Sequence, residues 1–289
     1  MNGKSISRAG FAVILAIVGM AGTSFSQTLV NETNLIAYDG FTDYALAPLG
    51  GTNGNGGVGW TNAWSTDPCA FVVQPAQPLQ YTNGNIVILG GTRAMCWPGT
   101  GAFNEYGYIR NVLRGIAKQR QDLYFSCLCA YTNGTMGAPN NYTVICMGDL
   151  SPALAQTGAF FGRFEGLELG ATAQGDDRQV PASMIGTNLP VINQTYLLVG
   201  KMSWSAAANA FVLADGWINP NNRNAPSGFH GVATGPQVCA DGLSSFYLQA
   251  IALGPTNMTG VHMLMDEVRV GPTWQSVFPY SAGTSYLIR

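Results

Sequence analysis

The chain carries little charge. Lysine, arginine, aspartate and glutamate make up 10% of its 289 residues, against about a quarter of an average globular domain. The 13 basic and 15 acidic side chains give a formal net charge of −2, with no basic cluster that would bind a phosphate backbone. The composition therefore argues against a nucleic-acid partner. It predicts a surface of amide, hydroxyl and backbone groups that can hydrogen-bond neutral polar ligands.

Catalytic groups are also sparse. The two histidines, His230 and His262, lack the spacing of a metal site or of a serine-nucleophile motif. Retaining glycosidases need two carboxyl groups about 5–5.5 Å apart, which a sandwich enzyme places at alternating positions of one strand. Glu165 and Glu168 do not alternate in this way, although Glu105 could meet Glu165 from another strand. We therefore expect a protein without catalysis and keep a glycoside hydrolase of the glucanase type as an alternative.

Only the first residues contain a long apolar run. Lys4 and Arg8 precede an uncharged stretch, 9–21, which is shorter than the roughly 20 residues of a membrane-spanning helix. Ser24 and Ser26 supply small residues before a cleavage point. The pattern predicts a signal peptide over residues 1–26 and a single domain over residues 27–289. We expect an exported protein, secreted, periplasmic or associated with the cell surface, without a membrane span after cleavage.

Six cysteines in an exported chain permit three disulfides. A hairpin between the strands predicted at 123–131 and 142–147 would set Cys127 opposite Cys146, which makes this pair the first disulfide candidate. Cys69 with Cys96 is the second. Free buried thiols are the alternative.

Short strand-like runs separated by turn residues cover most of the remaining sequence, as is typical of a β-sandwich. Asn83-Gly84, between apolar runs at 79–82 and 86–89, indicates a two-residue hairpin. Helix is scarce. Arg110, Arg114 and Lys118 recur every four residues, which would suit a short basic helix or a solvated connection between strands.

Motifs near both ends of the chain carry a family resemblance. Tyr38-Asp39-Gly40-Phe41, followed by Gly59-Trp60, and the terminal run from Asp266-Glu267-Val268-Arg269 to Trp274 resemble segments of exported bacterial concanavalin A-like (laminin G-like) lectin and glucanase sandwiches. Many such proteins carry a C-terminal PEP-CTERM sorting signal, which this sequence lacks. The resemblance implies an all-β, concanavalin A-like jelly-roll sandwich of two antiparallel sheets with little helix. It also implies that the first and last strands pair.

The expected ligand is a glycan or another cell-surface polymer. Sugar recognition combines an aromatic platform with amide or carboxylate hydrogen bonds. Trp97, in a predicted loop, is the first candidate, and Tyr106, Tyr108, Trp217 and Asn219 join it. The alternative is a structural or adhesive envelope protein that acts through protein–protein contacts.

The resemblance also implies a possible calcium site, because such sandwiches often hold Ca²⁺ with oxygen ligands at a sheet rim. Asp39, Asp43 and Asp266 are the candidate ligands, since they come from segments expected to be neighbours. In the last strand, strict alternation predicts that the valines face the core while Glu267 and Arg269 share the outer face. There the two side chains can pair, or Arg269 can reach a neighbouring strand.

Overall fold

The fold is that of a computed structural model, which describes residues 34–66, 70–97, 108–132, 141–148, 158–163, 169–174, 183–184, 191–227, 229–238, 242–252 and 262–279. The predicted signal peptide and the predicted ligand residue Tyr106 lie outside these ranges, as do Cys69, Glu105 and Glu165.

Within the described ranges the chain is built almost entirely of strands. They are β1 (Ala37–Asp39), β2 (Ser65–Thr66), β3 (Phe71–Val73), β4 (Gln80–Asn83), β5 (Ile86–Leu89), β6 (Ala94–Trp97), β7 (Tyr108–Gln119), β8 (Leu123–Thr132), β9 (Asn141–Gly148), β10 (Gly158–Arg163), β11 (Leu169–Gln174), β12 (Ser183–Met184), β13 (Thr195–Ser205), β14 (Ala210–Ile218), β15 (Phe229–Val238), β16 (Leu243–Ala252) and β17 (His262–Gly271). Single 3-10 turns occur at Gly51–Gly54 and Gln275–Val277. In the part of the chain described, none of the helical segments is long and apolar enough to cross a bilayer.

Two antiparallel sheets form the body of the protein. The eight-stranded sheet has the order β15-β14-β13-β8-β17-β6-β3, with β1 also paired to β17. The seven-stranded sheet has the order β12-β11-β10-β9-β16-β7-β2. This architecture confirms the predicted all-β sandwich of two antiparallel sheets.

The first and last described strands pair in the eight-stranded sheet, as the terminal motifs predict. Tyr38 lies opposite Arg269, and Asp39 lies opposite Val268. Strand β6 occupies the same edge of β17 one step earlier, beside Met263 to Met265. β17 therefore changes partner from β6 to β1 along one edge, while β8 pairs with its other edge.

The main core lies between the sheets. Phe125 of β8 meets Phe246 of β16 edge-to-face, with ring centroids 6.1 Å apart, and both side chains are fully buried. Trp64 and Met265 belong to the same cluster. Residues two positions apart on a strand share a face, so these core residues show which positions of each strand face the core and which face away from it.

A second apolar layer covers the outer face of the eight-stranded sheet, the face that looks away from the seven-stranded one. It is formed by the β4–β5 hairpin, which we call the strap. Ile86 and Ile88 of the strap are buried in one cluster with Leu128, Val199 and Trp274. The hairpin predicted here forms, but its two-residue loop is Gly84-Asn85, because Asn83 pairs with Ile86 as the last residue of β4. Gly84 has a φ of 57°.

Two sequence expectations are wrong. The stretch with Arg110, Arg114 and Lys118 is strand β7 and neither a helix nor a connection. The hairpin expected between the strands at 123–131 and 142–147 does not form, because β8 pairs with β13 and β17 in one sheet while β9 pairs with β10 and β16 in the other. Each stretch was strand-like locally, but its partner lies far along the chain.

Candidate functional site

The described residues that the sequence predicts as ligand contacts are distributed over strands of both sheets. Trp97 ends β6 opposite Met263, a residue of the main core, so its position belongs to the core-side face of the eight-stranded sheet. Tyr108 begins β7 in the other sheet, on the same face as the buried Arg114 by alternation. Trp217 is 6% exposed and packs edge-on against Trp274 under the strap, 5.1 Å between centroids. The Trp217 ring therefore offers no open platform.

Asn219 has a structural role, because it forms hydrogen bonds with the backbone of Leu197. Its φ of 52° lies in the left-handed region that asparagine tolerates. Its N–H donates to the Leu197 carbonyl (2.8 Å), and its side-chain oxygen accepts from the Leu197 N–H (2.9 Å). The residue extends the pairing of β13 and β14 beyond the last strand residue, and its side-chain oxygen is used by the backbone.

The face of the seven-stranded sheet opposite the core carries a different set of residues, which we call the distal face. Phe246 is buried in the core, so the alternate positions of β16 belong to the distal face. Ser65 of β2 is exposed there, opposite Leu113 of β7. Two lines of paired positions cross the sheet, namely Leu113–Tyr247–Cys146–Phe160–Thr172 and Asn111–Gln249–Val144–Gly162–Gly170.

The two lines differ in character. The first places the aromatic residues Tyr247 and Phe160 on either side of Cys146. The second begins with two amides, Asn111 and Gln249, and ends with two directly paired glycines. Five neighbouring strands span about 19 Å at ~4.8 Å per strand. The second line thus ends in positions without side chains, next to the aromatic positions of the first line.

Asp39 organises a buried polar network at one end of the core. Its carboxylate accepts from the Phe41 N–H (3.0 Å), the Trp64 indole N–H (2.8 Å), the Tyr44 hydroxyl and the Arg114 guanidinium. Burial raises the pKa of Asp39 above its usual value, while these hydrogen bonds and the Arg114 charge act in the opposite direction. The network explains the terminal Tyr-Asp-Gly-Phe motif as a structural element.

Arg114 is held by aromatic rings as well as by charge. Its guanidinium carbon lies 5.0 Å from the Trp60 ring centroid and 5.5 Å from that of Trp64, within the range of a cation–π contact. The side chain is 2% exposed and also donates to the Asn62 carbonyl at 2.9 Å. Arg114 therefore ties β7 to the loop after β1 and is not a surface anion site.

A second buried network occupies the outer side of β17. Glu267 accepts from the Tyr38 hydroxyl (2.8 Å) and pairs with the Arg269 guanidinium (2.8 Å), which lies 4.7 Å from the Tyr38 ring centroid. The predicted pairing of Glu267 with Arg269 is confirmed. Both side chains are nevertheless buried, at 5% and 1% exposure. The Tyr38 ring lies against Arg269, and Gly40 lies close to the Glu267 carboxylate. The strict alternation predicted for β17 is wrong, since a bulge interrupts it between Asp266 and Arg269.

The residues proposed for calcium do not fit that ion. The Asp39 oxygens already accept four donors, whereas a Ca²⁺ ligand must offer free lone pairs. Asp266 accepts from the Gly91 and Glu267 N–H groups on the outer side of the sheet, and Asp43 is exposed on a loop. Among the residues that the structure describes, no group of three acidic, cysteine or histidine side chains could hold a metal.

Cysteine 127 is a free buried thiol, as are Cys96 and Cys129. The proposed Cys127–Cys146 disulfide is therefore not formed. Cys127 lies in the core cluster from the eight-stranded sheet, whereas Cys146 occupies a distal-face position of the other sheet. The proposed Cys69–Cys96 bond is absent too, because Cys96 is a free thiol, buried in the layer beneath the strap.

Sequence reasoning missed the distal face. Tyr247, Gln249 and Asn111 lie on strands that the sequence predicts, but their alignment depends on β7, β16 and β9 being neighbours. Alternation within each strand marks the positions that share a face. The order of the strands, which decides which positions meet, is set by long-range pairing.

Comparison with known proteins finds solved structures of low similarity. No protein-family model matches the chain, and no curated protein matches it significantly. A solved endo-β-1,4-glucuronan lyase from the fungus Trichoderma reesei is 14% identical, covering 83% of this chain and 100% of that one, with a TM-score of 0.43. The carbohydrate recognition domain of Emp47p is 8% identical, covering 83% and 98%, with a TM-score of 0.44.

Lectin II from Ulex europaeus is 7% identical, covering 72% of this chain and 100% of that one, with a TM-score of 0.39. At these identities and scores, the likenesses carry no inference about a ligand or a reaction. The suggested kinship with proteins that bear PEP-CTERM signals gains no support from them.

Proposed function

We propose that the protein binds a glycan or another surface polymer through the distal face, without catalysis. The observation that carries this proposal is the register of β7, β16, β9, β10 and β11, which aligns an aromatic line beside an amide and glycine line. Aromatic rings suit the apolar faces of sugar rings, and amides suit hydroxyl groups.

The shape of the face supports an extended ligand. A row about 19 Å long across five strands is longer than a single sugar ring. The paired glycines Gly162 and Gly170 keep part of the second line free of side chains, so a polymer chain can approach the backbone there. Export of the mature chain, which the predicted signal peptide implies, would bring this face into contact with extracellular polymers.

Binding is favoured over hydrolysis by the residues of the two lines. Their ten described positions include neither aspartate nor glutamate, whereas hydrolysis of a glycosidic bond requires a pair of such groups. Release of reducing ends from β-glucans by the purified protein would instead support the glycoside hydrolase alternative.

A glycan array with the purified mature protein tests the proposal. We expect specific retention of one polysaccharide class by the wild type, and about tenfold weaker binding by Tyr247→Ala and by Asn111→Ala/Gln249→Ala, equivalent to ~1.4 kcal/mol. Gly162→Val should weaken binding, because it adds a branched side chain where the line has none. Thr82→Ala, an exposed position of the strap on the other side of the molecule, is the matched control and should bind normally.

The same experiment separates the envelope-protein alternative. Blank arrays together with concentration-dependent assembly in solution would overturn the glycan proposal and favour protein–protein contacts. Equal losses of binding in Thr82→Ala and in the distal-face variants would show that the distal face is not the site.

A further inference from the structure

Four sulfur-containing side chains lie together in the main core, on the inner face of the eight-stranded sheet. They are Met95 of β6, Met265 of β17, and Cys127 and Cys129 of β8, all members of one buried cluster. Met265 is paired with Met95 on one side and with Cys129 on the other. Because neighbouring strands lie about 4.8 Å apart, these three residues occupy one continuous row across the sheet, which we call the sulfur row.

The second thiol lies beside the sulfur row. Cys127 and Cys129 are separated by one residue on β8, so their side chains share the core face. Both are free thiols. Burial raises the pKa of Cys127 well above its usual value, and the neighbouring Cys129 raises it further. The two thiols therefore lie within electrostatic reach of each other.

The surroundings of the sulfur row are apolar and aromatic. Tyr196 of β13 continues the row beyond Cys129, and its hydroxyl accepts from the Val191 N–H at 2.8 Å. Val72 of β3 continues it beyond Met95. None of the four sulfur residues is more than 3% exposed. These described positions of the row include no carboxylate and no imidazole, so sulfur is the ligand chemistry that they offer to a metal.

The ligand set favours a soft ion with a single charge. Thiolate and thioether sulfur select Cu(I) over ions that prefer oxygen. One deprotonated thiol balances the charge of Cu(I) and the thioethers are neutral, so the occupied site has no net charge. That balance is needed because an uncompensated charge in an apolar core is costly. Zn²⁺ carries two charges and is bound in proteins by thiolate, imidazole and carboxylate groups, so the thioethers do not suit it.

We propose that Met95, Met265, Cys127 and Cys129 form a binding site for Cu(I) in the core of the sandwich. Cu(I) binds the Cys129 sulfur as the thiol proton leaves to solvent. The two thioethers are neutral ligands, Cys127 remains a neutral thiol beside them, and no electron is transferred. Methionine has three rotatable bonds, so its sulfur can turn toward the ion without a change of backbone. The site lies between the sheets and is independent of glycan binding at the distal face.

Anaerobic titration of the purified mature protein with Cu(I), held by a coloured chelator that competes for the ion, tests the site. We expect the protein to remove one ion per chain from the chelator and to gain thiolate-to-copper absorption in the ultraviolet. Entry is slow because the sulfur atoms are buried, so each sample is read once its absorbance is constant. Ag(I), another soft ion with a single charge, should compete for the site, whereas Zn²⁺ should not. X-ray absorption of the loaded protein should show sulfur ligands alone.

Four variants assign the ion to the sulfur row. Cys127→Ala/Cys129→Ala removes both thiols and should abolish retention. Met265→Leu should weaken binding by at least about tenfold, because even the partners that orient a metal's ligands are worth about 10–100-fold in affinity. Met202→Leu is the matched control, since Met202 is a buried core methionine of β13 that lies away from the row. Cys96→Ala, which removes a buried thiol beneath the strap, should also bind normally.

Three results would overturn the proposal. A wild-type chain that leaves all of the Cu(I) on the chelator has no such site. Equal retention by the double cysteine variant assigns the copper to other cysteines, and nitrogen or oxygen ligands in the X-ray absorption spectrum contradict a sulfur site. If the double variant does not fold, the comparison of Met265→Leu with Met202→Leu decides, because equal affinities would show that Met265 does not bind the ion.

Discussion

At the scale of residues, the sequence motifs at both ends are explained by buried polar networks. Asp39 gathers four donors, and Glu267 with Arg269 forms a buried ion pair against Tyr38. A buried ion pair adds little net stability over a well-packed apolar pair, but the loss of one partner is costly. These residues therefore specify how β1, β7 and β17 come together.

Removing the charge of Asp39 should destabilise the fold strongly. Asp39→Asn keeps the side-chain shape but leaves the buried Arg114 guanidinium without its counter-ion, so we expect the free energy of unfolding to fall by about 3–5 kcal/mol. Urea denaturation measures it. Asp43→Asn, four residues away and exposed, should change it by less than about 0.5 kcal/mol. Equal effects of the two substitutions would contradict the network.

The buried thiols should be unreactive in the folded protein. Burial raises the pKa of Cys96 and of Cys129 to about 12, and the thiolate is the reactive form. We expect Cys96, Cys127 and Cys129 to react slowly with a thiol reagent in the folded protein at pH 8. In urea they should react rapidly, and no reducing agent should be needed beforehand because the thiols are free. Mass spectrometry of digested, labelled protein measures this. A bridge between Cys127 and Cys146, or fast native labelling, would refute the assignment of free core thiols.

At the scale of elements, the strap is attached to the rest of the fold at both of its ends. Its turn presses Gly84 against the loop after β14, where Asn221 accepts from the Asn85 N–H at 3.2 Å. The Tyr81 hydroxyl donates to the Pro220 carbonyl at 2.7 Å. The strap is fixed at its turn by these bonds and at its base by Asp266.

We expect Gly84→Ala to lower the stability of the protein more than Gly51→Ala does. A Cβ at Gly84 would lie 1.9 Å from the Asn221 carbonyl oxygen, whereas one at Gly51, with a similar φ of 55°, meets nothing within 4 Å. Both variants bear the left-handed strain of about 1 kcal/mol, so the difference between them reports the contact. We expect Gly84→Ala to lower the thermal midpoint clearly further. Matching midpoints would show that the turn does not dock.

Elements and their positions were predictable from sequence to different degrees. The Asn83-Gly84 hairpin and the strand at 210–218 follow from turn chemistry and local pattern, which act over a few residues. The pairing partners of β9 could not be predicted in this way, because strand pairing is decided by contacts between residues distant in the chain. The bulge at Glu267 could not be predicted from local pattern either, since it lies where the pairing partner of β17 changes from β6 to β1. The alternation of side chains along one strand does not indicate where that strand changes its partner.

At the scale of the whole molecule, the two sheets have different surroundings. The outer face of the eight-stranded sheet is covered by the strap and the turn after β17, so its aromatic residues Trp217 and Trp274 are used in packing. The distal face of the seven-stranded sheet bears the aligned aromatic, amide and glycine positions. The candidate site is thus a property of strand order, which local sequence patterns do not reveal.

Mapping a bound oligosaccharide by NMR tests the central claim most directly. Titration of the isotope-labelled mature protein with a soluble oligosaccharide of the class retained on the array should shift backbone amides along β7, β16, β9 and β10, centred on Asn111, Tyr247 and Gln249. The chemical shifts of the strap amides should not change. Shifts confined to the strap, or to the loops around Trp217, would contradict a binding site on the distal face.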